Sequence, residues 1–180
     1  MGELVKKNNS VKILKEGRYL QLLEKDRWEY VARKNCKGIV AILAVTDDKK
    51  VLFVEQYRVP VGKYVIELPA GLIDDGAGES NESLIDAAKR ELFEETGYEA
   101  KTIEPVIDGP SSASSSVMLF LVRARGLKKN GAGGGDETES IVVHEVPLRK
   151  TDQWLDQKRQ DGCLVDPKIY AGLYLIKKYN

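Results

Sequence analysis

The sequence predicts a mixed α/β domain preceded by a small antiparallel sheet, and three observations lead there. Continuous apolar runs of strand length recur between turn residues, as in residues 38–45 (GIVAILAV), 51–57 (VLFVEQY) and 117–124 (VMLFLVRA). A segment closing on Gly97 carries a helical stripe, with Leu84 and Ala88 on a face that continues through Glu91 and Glu95. Residues 11–32 are shorter, strand-like pieces punctuated by Gly17 and the Lys25-Asp26 turn.

Taken in order, residues 1–10 are polar and carry no periodic pattern. Residues 11–32 read as the small sheet; it has too little core to stand alone and must lean on the rest of the chain or on a second subunit. This divides the chain into an appendage, residues 1–35, and a main domain, residues 36–180. The runs at 38–45 and 51–57, joined by the turn Asp47-Asp48-Lys49-Lys50, read as a buried β-hairpin. A short strand at 64–68 stops at Pro69 before an Ala70-Gly71 turn. The helix starts between Ser80 and Ser83, where several residues can cap it, and ends at Gly97. Strand-like TIEPVI then leads to a loop at 108–116, a buried strand at 117–124 and a flexible glycine-rich loop at 128–136. Residues 141–146 read as a strand, 151–160 as a short helix capped by Thr151 or Asp152, and the final helix starts on Asp166-Pro167.

Composition removes several classes of function. Lys plus Arg and Asp plus Glu are each 28, so no basic stripe suits a dedicated nucleic-acid binder. No apolar run approaches the ~20 residues a bilayer requires. The two cysteines, Cys36 and Cys163, have neither a disulfide framework nor zinc spacing, and with no signal peptide the expectation is a reducing cytoplasm. His144 lies in a strand pattern without a nucleophile partner, which disfavours Ser/His/Asp chemistry. The glycine-rich loop is not a phosphate-cradling P-loop, because no Gly-Lys-Ser/Thr ends it.

The chemistry concentrates in Arg90-Glu91-Leu92-Phe93-Glu94-Glu95-Thr96-Gly97. Glu91, Glu94 and Glu95 fall within one arc of about 100° where packing is expected, taking about 100° per residue. Like charges so placed repel and resist burial. A hard divalent cation with oxygen ligands removes both objections, Mg²⁺ first. Elsewhere two readings stand side by side. Trp28 either packs the small sheet or stacks on a base. Arg58 either clamps a phosphate or pairs with a surface acid. Glu137-Thr138-Glu139 is either an acidic lid or a solvated loop.

Gly76, Glu82 and residues 90–98 fit the pattern G-x5-E-x7-R-E-U-x-E-E-x-G-U, U being bulky and apolar, and the chain therefore resembles the Nudix hydrolases. The pieces RWEYVAR, VEQYR, ELPAGLIDDG, the Gly109-Pro110 loop and ETESI are similar to the branch that hydrolyses ADP-ribose and other nucleoside diphosphate sugars. One departure is visible. Gly71, in the Ala-Gly-Leu-Ile-Asp of that branch, is too far from Arg90 for the pattern, so an insertion within GAGESNES leaves Glu79 and Glu82 as rival first glutamates, spacing favouring Glu82.

The resemblance implies an α/β/α sandwich with a mixed sheet and a metal site of Glu91, Glu94 and Glu95 aided by the Ala70 carbonyl, holding Mg²⁺ or, in its place, Mn²⁺. Arg90 would orient the acids. Trp28 would stack on the nucleobase, Arg33 and Arg58 would contact phosphates, Pro110 would mark the ADP-ribose type, and Glu137 or Glu139 would be the general base. It further implies a homodimer exchanging the N-terminal sheet, a nucleotide-sugar substrate, and no nucleic-acid or membrane partner. The alternatives are a dinucleotide, diadenosine polyphosphate or nucleoside triphosphate pyrophosphohydrolase, and a non-catalytic nucleotide-sugar sensor.

Overall fold

Alternation along the strands sorts the core into two halves. The computed structural model describes residues 10–74, 81–135 and 140–179. Strands β1 (Lys12–Glu16), β2 (Leu20–Lys25) and β3 (Trp28–Arg33) form an antiparallel sheet in that order. Strands β4 (Gly38–Ala44), β5 (Lys50–Arg58), β6 (Lys63–Glu67), β7 (Ala70–Ile73), β8 (Tyr98–Pro110), β9 (Met118–Lys129), β10 (Ile141–Pro147) and β11 (Leu164–Val165) build two four-stranded sheets. One has the order β7-β4-β9-β8 and the other β10-β5-β6-β11. Both are mixed, since β4 runs parallel to β9 and β6 parallel to β11.

Helix α1 (Leu84–Thr96) packs on one side with Val40, Ile42, Leu52, Ala87, Ala88 and Leu92. Helices α2 (Thr151–Gln160) and α3 (Lys168–Tyr179) cover the other, where Leu43, Phe53, Ile66, Leu155, Ile169 and Leu173 meet. The even residues of β4 thus face α1 and the odd ones face α3. The layers are α/β/α, as the resemblance implies.

The expected hairpin of residues 38–45 and 51–57 is not one. Thr46 N–H donates to Lys50 O at 2.8 Å and Val45 bridges Val51, but beyond that point β4 pairs with β7 and β9 while β5 pairs with β6 and β10. Both runs are apolar throughout, and each buries both faces by taking the centre of its own sheet. The Ala70-Gly71 turn is instead the start of β7, because the edge of β4 is open to pair with it. Strands β8 and β9 are longer than their apolar runs, and their mutual pairing carries β8 to Pro110 and β9 to Lys129. Helix α2 keeps its expected span, yet Lys150 precedes it with no side-chain cap. Asp166 does cap α3, accepting from Lys168 N–H at 2.7 Å.

The N-terminal sheet is tied to the body through β3, with Val31 N–H donating to Ser114 O and Ser116 N–H donating to Val31 O. Leu23 is its buried residue, while Ile13, Leu20 and Trp28 stay exposed. No described helix is long and apolar enough to cross a membrane.

Candidate active site

Helix α1 begins at Ser83, whose hydroxyl accepts Asp86 N–H at 3.1 Å, and ends at Gly97, which adopts φ 73°. Between them Leu84, Ala87, Ala88, Glu91, Leu92 and Glu95 repeat at spacings of three and four, and from Ala87 on they are buried. Two carboxylates thus enter the packed face, Glu91 at 8% and Glu95 at 2% exposure. Glu94 does not: it is exposed, sitting about 60° of rotation from Glu91 at the edge of the arc. The buried arc widens the other way, through Leu92 and Thr96.

Arg90 organises these acids. Its Nε donates to Glu82 Oε1 at 2.8 Å, Nη1 to Glu91 Oε1 at 2.7 Å and Glu94 Oε2 at 3.1 Å, and Nη2 to the Leu72 carbonyl at 3.0 Å. The hydrogen bond to Glu82 is the largest influence raising the Arg90 pKa, against the opposing effect of burial. In return Arg90 holds the Glu82 carboxyl below its usual range, and the Asp74 N–H donating to it at 3.1 Å helps. Glu82, which spacing favours as the first box glutamate, is thus a partner of Arg90; Glu79 and Gly76 lie outside the described residues.

Strand β7 supplies the facing wall. Ala70 N–H donates to Glu95 Oε2 at 2.9 Å. Gly71 is where the Glu91 carboxylate rests, for a Cβ there would stand 1.9 Å from Glu91 Cδ. Only a residue without a side chain lets the acid lie against the strand. Gly71 falls outside the literal box spacing, yet it is the glycine the site needs.

The glycine-rich loop is not free. Gly134 N–H donates to Glu95 O at 2.8 Å and Gly135 N–H to Glu94 O at 3.1 Å, while Asn130 and Gly131 N–H both donate to Gly97 O. Gly133, at φ 69°, sits so close that a Cβ would lie 2.5 Å from Thr96 C. The loop thus caps the carbonyls that end α1, whose partial negative charge would otherwise add to that of the acids. Composition reads such a run as flexible, because the partner that fixes it is distant in sequence.

A cavity of about 520 Å³ opens over this arrangement, lined by Ala70, Gly71, Leu72, Arg90, Glu91 and Glu94 and by Tyr19, Arg33, Arg58, Glu67 and Lys168. Arg58 lines the cavity while its Nε donates to Glu67 Oε2 at 2.7 Å, an acid that is largely buried rather than on the surface. Arg33 makes no ion pair among the described residues. Trp28, 71% exposed, is not at this cavity, since it stands five steps along β3 from Arg33, about 16 Å of strand. Pro110, exposed at the end of β8, is not there either. Glu137 and Glu139 lie outside the described residues. Tyr19, Glu67 and Lys168 were not legible as site residues; only the fold brings them to it.

A larger groove of about 710 Å³ lies between Asp48, Lys50, Arg149, Asp152 and Lys177. Size does not decide between the two, because only the smaller cavity joins buried acids to a wall of cations. Its donor set, carboxylate and carbonyl oxygens, fits a hard divalent cation. The acids are turned to Arg90, and no group of three or more acidic, His or Cys side chains among the described residues is closed up for an ion.

Comparison with known proteins identifies the family. The NUDIX domain matches residues 37–161. A methanol dehydrogenase activator of Bacillus methanolicus is 39% identical over 126 residues, 68% of this chain and 64% of the relative. An ADP-ribose pyrophosphatase of Bacillus subtilis is 36% identical over 114 residues, 62% of this chain and 58% of the relative. The alignments thus span less than two thirds of either relative's length. The crystal structure of an ADP compounds hydrolase superposes with a TM-score of 0.70 at 24% identity, covering 95% of this chain and 91% of that one, a likeness of fold.

Proposed function

Because the chain belongs to the Nudix family, its domain covering residues 37–161, we propose that it hydrolyses the diphosphate of ADP-ribose or another nucleoside diphosphate sugar, giving a nucleoside monophosphate and a sugar phosphate. The observation that carries this reading is the cavity that sets Glu91 and Glu94 beside Ala70 and Gly71, opposite Arg33 and Arg58. Acids for a cation and cations for a phosphate in one polar cavity suit a diphosphate. The relatives named as ADP-ribose pyrophosphatases support the substrate class.

Glu91, Glu94, Glu95 and the Ala70 carbonyl would hold Mg²⁺ or Mn²⁺. A bound cation of this kind neutralises phosphoryl oxygens and lowers the pKa of water. The chain's own residues do the rest. Arg90 keeps Glu91 and Glu94 charged and aimed, while Ala70 N–H fixes the second oxygen of Glu95. Arg58, oriented by Glu67, and Arg33 take the non-bridging oxygens. Water attacks one phosphorus, the bridging oxygen leaves with the other phosphate, and Glu137 or Glu139 accepts the water proton, typically a 10²–10⁴-fold effect.

The chain forms a homodimer through its N-terminal sheet. Exposed Ile13, Leu20 and Leu22 on a sheet with so small a core support this. Trp28, exposed and away from its own cavity, then serves the nucleobase in the other copy's site, with Pro110 at the rim. A monomeric mass by light scattering at working concentration refutes the dimer.

The deciding experiment incubates the protein and Mg²⁺ or Mn²⁺ with ADP-ribose, sugar nucleotides, NADH, diadenosine tetraphosphate and dNTPs. A monophosphate and a sugar phosphate from the first two are expected. Cleavage of NADH, the tetraphosphate or dNTPs alone would move the substrate to those classes. Tight binding of ADP-ribose without turnover would make the protein a sensor.

A further inference from the structure

We propose that Lys168, the first residue of α3, is a substrate-binding residue of this site, its ammonium taking a non-bridging oxygen of the diphosphate; the inference rests on the function proposed above. Lys168 lines the same cavity as Glu91, Arg33 and Arg58, although it belongs to the last helix of the chain. Nothing in the box or its flanking motifs points to it.

Its position is fixed by the sheet. Strand β11 runs parallel to β6, pairing Val165 with Ile66, and Asp166 N–H then donates to Ile66 O at 2.9 Å. The chain following β11 therefore leaves the sheet beside Glu67, the acid that orients Arg58. Asp166 holds Lys168 twice: Oδ1 accepts its backbone N–H at 2.7 Å and Oδ2 is paired with its ammonium. The Asp166 side chain is only 11% exposed, so this support is built into the fold, while Lys168 keeps 34% of its side chain open.

The first turn of α3 holds no acidic residue of its own; the acid at this helix end is its cap, Asp166, which also holds the Lys168 ammonium in place, so that an anion arriving between Lys168 and Arg33 meets a positioned cation. Arg58 and Lys168 share one plan, each steadied by a largely buried acid from the end of a strand or the turn after it. Such steadying lowers the ordering cost of binding.

The test compares wild type with Lys168→Met, which keeps length and removes charge, and with Lys168→Arg, which keeps charge. Lys177→Met, at the far end of α3, controls for net charge. We measure kcat and KM for ADP-ribose, and its dissociation constant in EDTA, where no turnover competes. Lys168→Met should raise KM and the metal-free Kd about tenfold with kcat retained, the size of one charge-assisted contact. Lys168→Arg should recover most of this, and Lys177→Met should change neither constant. Unchanged KM and Kd in an active, folded Lys168→Met protein overturn the inference and leave the proposed function standing. A wild type that binds ADP-ribose through Lys168 without hydrolysing any substrate of the panel does the reverse. A wild type that neither binds nor cleaves ADP-ribose refutes both.

Discussion

Two charge clusters join a helix to the sheets on opposite sides of the molecule, and they differ in which charge is in surplus. On the α2 side, the Glu55 carboxylate meets Lys158 Nζ at 2.7 Å and His144 Nε2 at 2.8 Å, with Cys163 Sγ at 3.8 Å. On the α1 side, among the described residues, the Arg90 guanidinium serves Glu82, Glu91 and Glu94 together, while Glu95 accepts from Ala70 N–H. The first cluster gives one acid several donors and is complete as a clasp; Trp154 of α2 closes it, stacked on Phe53 at 5.6 Å and tilted on His144 at 4.9 Å. The second, among the described residues, shares one guanidinium between three acids that face or border the cavity, and buried carboxylates are costly unless positive charge joins them. A surplus of acid facing a cavity therefore separates a site from a structural clasp.

The strongest way to break this distinction is Glu95→Gln. The amide oxygen still accepts Ala70 N–H, so folding should be kept, while kcat for ADP-ribose with Mg²⁺ falls by about 10²–10⁴-fold, the several kcal/mol a lost cation charge represents. Near wild-type kcat at saturating Mg²⁺ would show that the surplus serves no metal. Gly71→Ala comes next. Its Cβ would stand 1.9 Å from Glu91 Cδ, so Glu91 must leave its place. The expectation is a loss of about 10²-fold in kcat from misplacement and about 1–3 kcal/mol in stability from overpacking. Unaltered kinetics would mean that Glu91 need not lie against β7.

The two clusters were unequally visible in the sequence. Acids at 91, 94 and 95 with Arg90 stand within one turn or two of helix, and local spacing suffices to read them, with Ser83 and Gly97 marking the ends. Glu55, His144 and Lys158 come from β5, β10 and α2, and no spacing connects residues that only pairing of β10 with β5 and packing of α2 bring together. The same reason hid Lys168, Tyr19 and Glu67 from the site. Glu94's exposure and the hairpin that became two central strands show a different limit: periodicity gives a face or a run, while the width of the buried arc and the choice of strand partner belong to the whole fold. The glycine loop reads as flexible from its composition but is held in the fold, because the helix end that holds it is a tertiary partner.

Glu55→Gln sharpens the comparison from the other side. It removes charge from the clasp and touches no residue of the cavity. Hydrogen bonds to a charged group contribute about 1.5–3 kcal/mol, so the urea midpoint should drop correspondingly while kcat and KM hold. A kinetic defect without loss of stability would make this cluster part of the site.

The smallest effect is the pH dependence of that stability. Burial alone would raise the Glu55 pKa, but hydrogen bonds from Lys158 and His144 and their charges outweigh it and hold the carboxyl below the usual carboxylate value of 4.5. A carboxylate more acidic folded than unfolded binds fewer protons in the native state, so acid favours the unfolded chain. The clasp's contribution is complete above pH ~4.5, where the unfolded carboxyl is ionised, and is lost as pH falls through the depressed native value. Urea unfolding of wild type and Glu55→Gln between pH 7 and about pH 3 should therefore give curves that converge on acidification, with the variant's disadvantage shrinking. Curves that stay parallel would mean that Glu55 is no more acidic in the folded protein than out of it, and that the clasp depends on Trp154 packing against Phe53 and His144 rather than on charge.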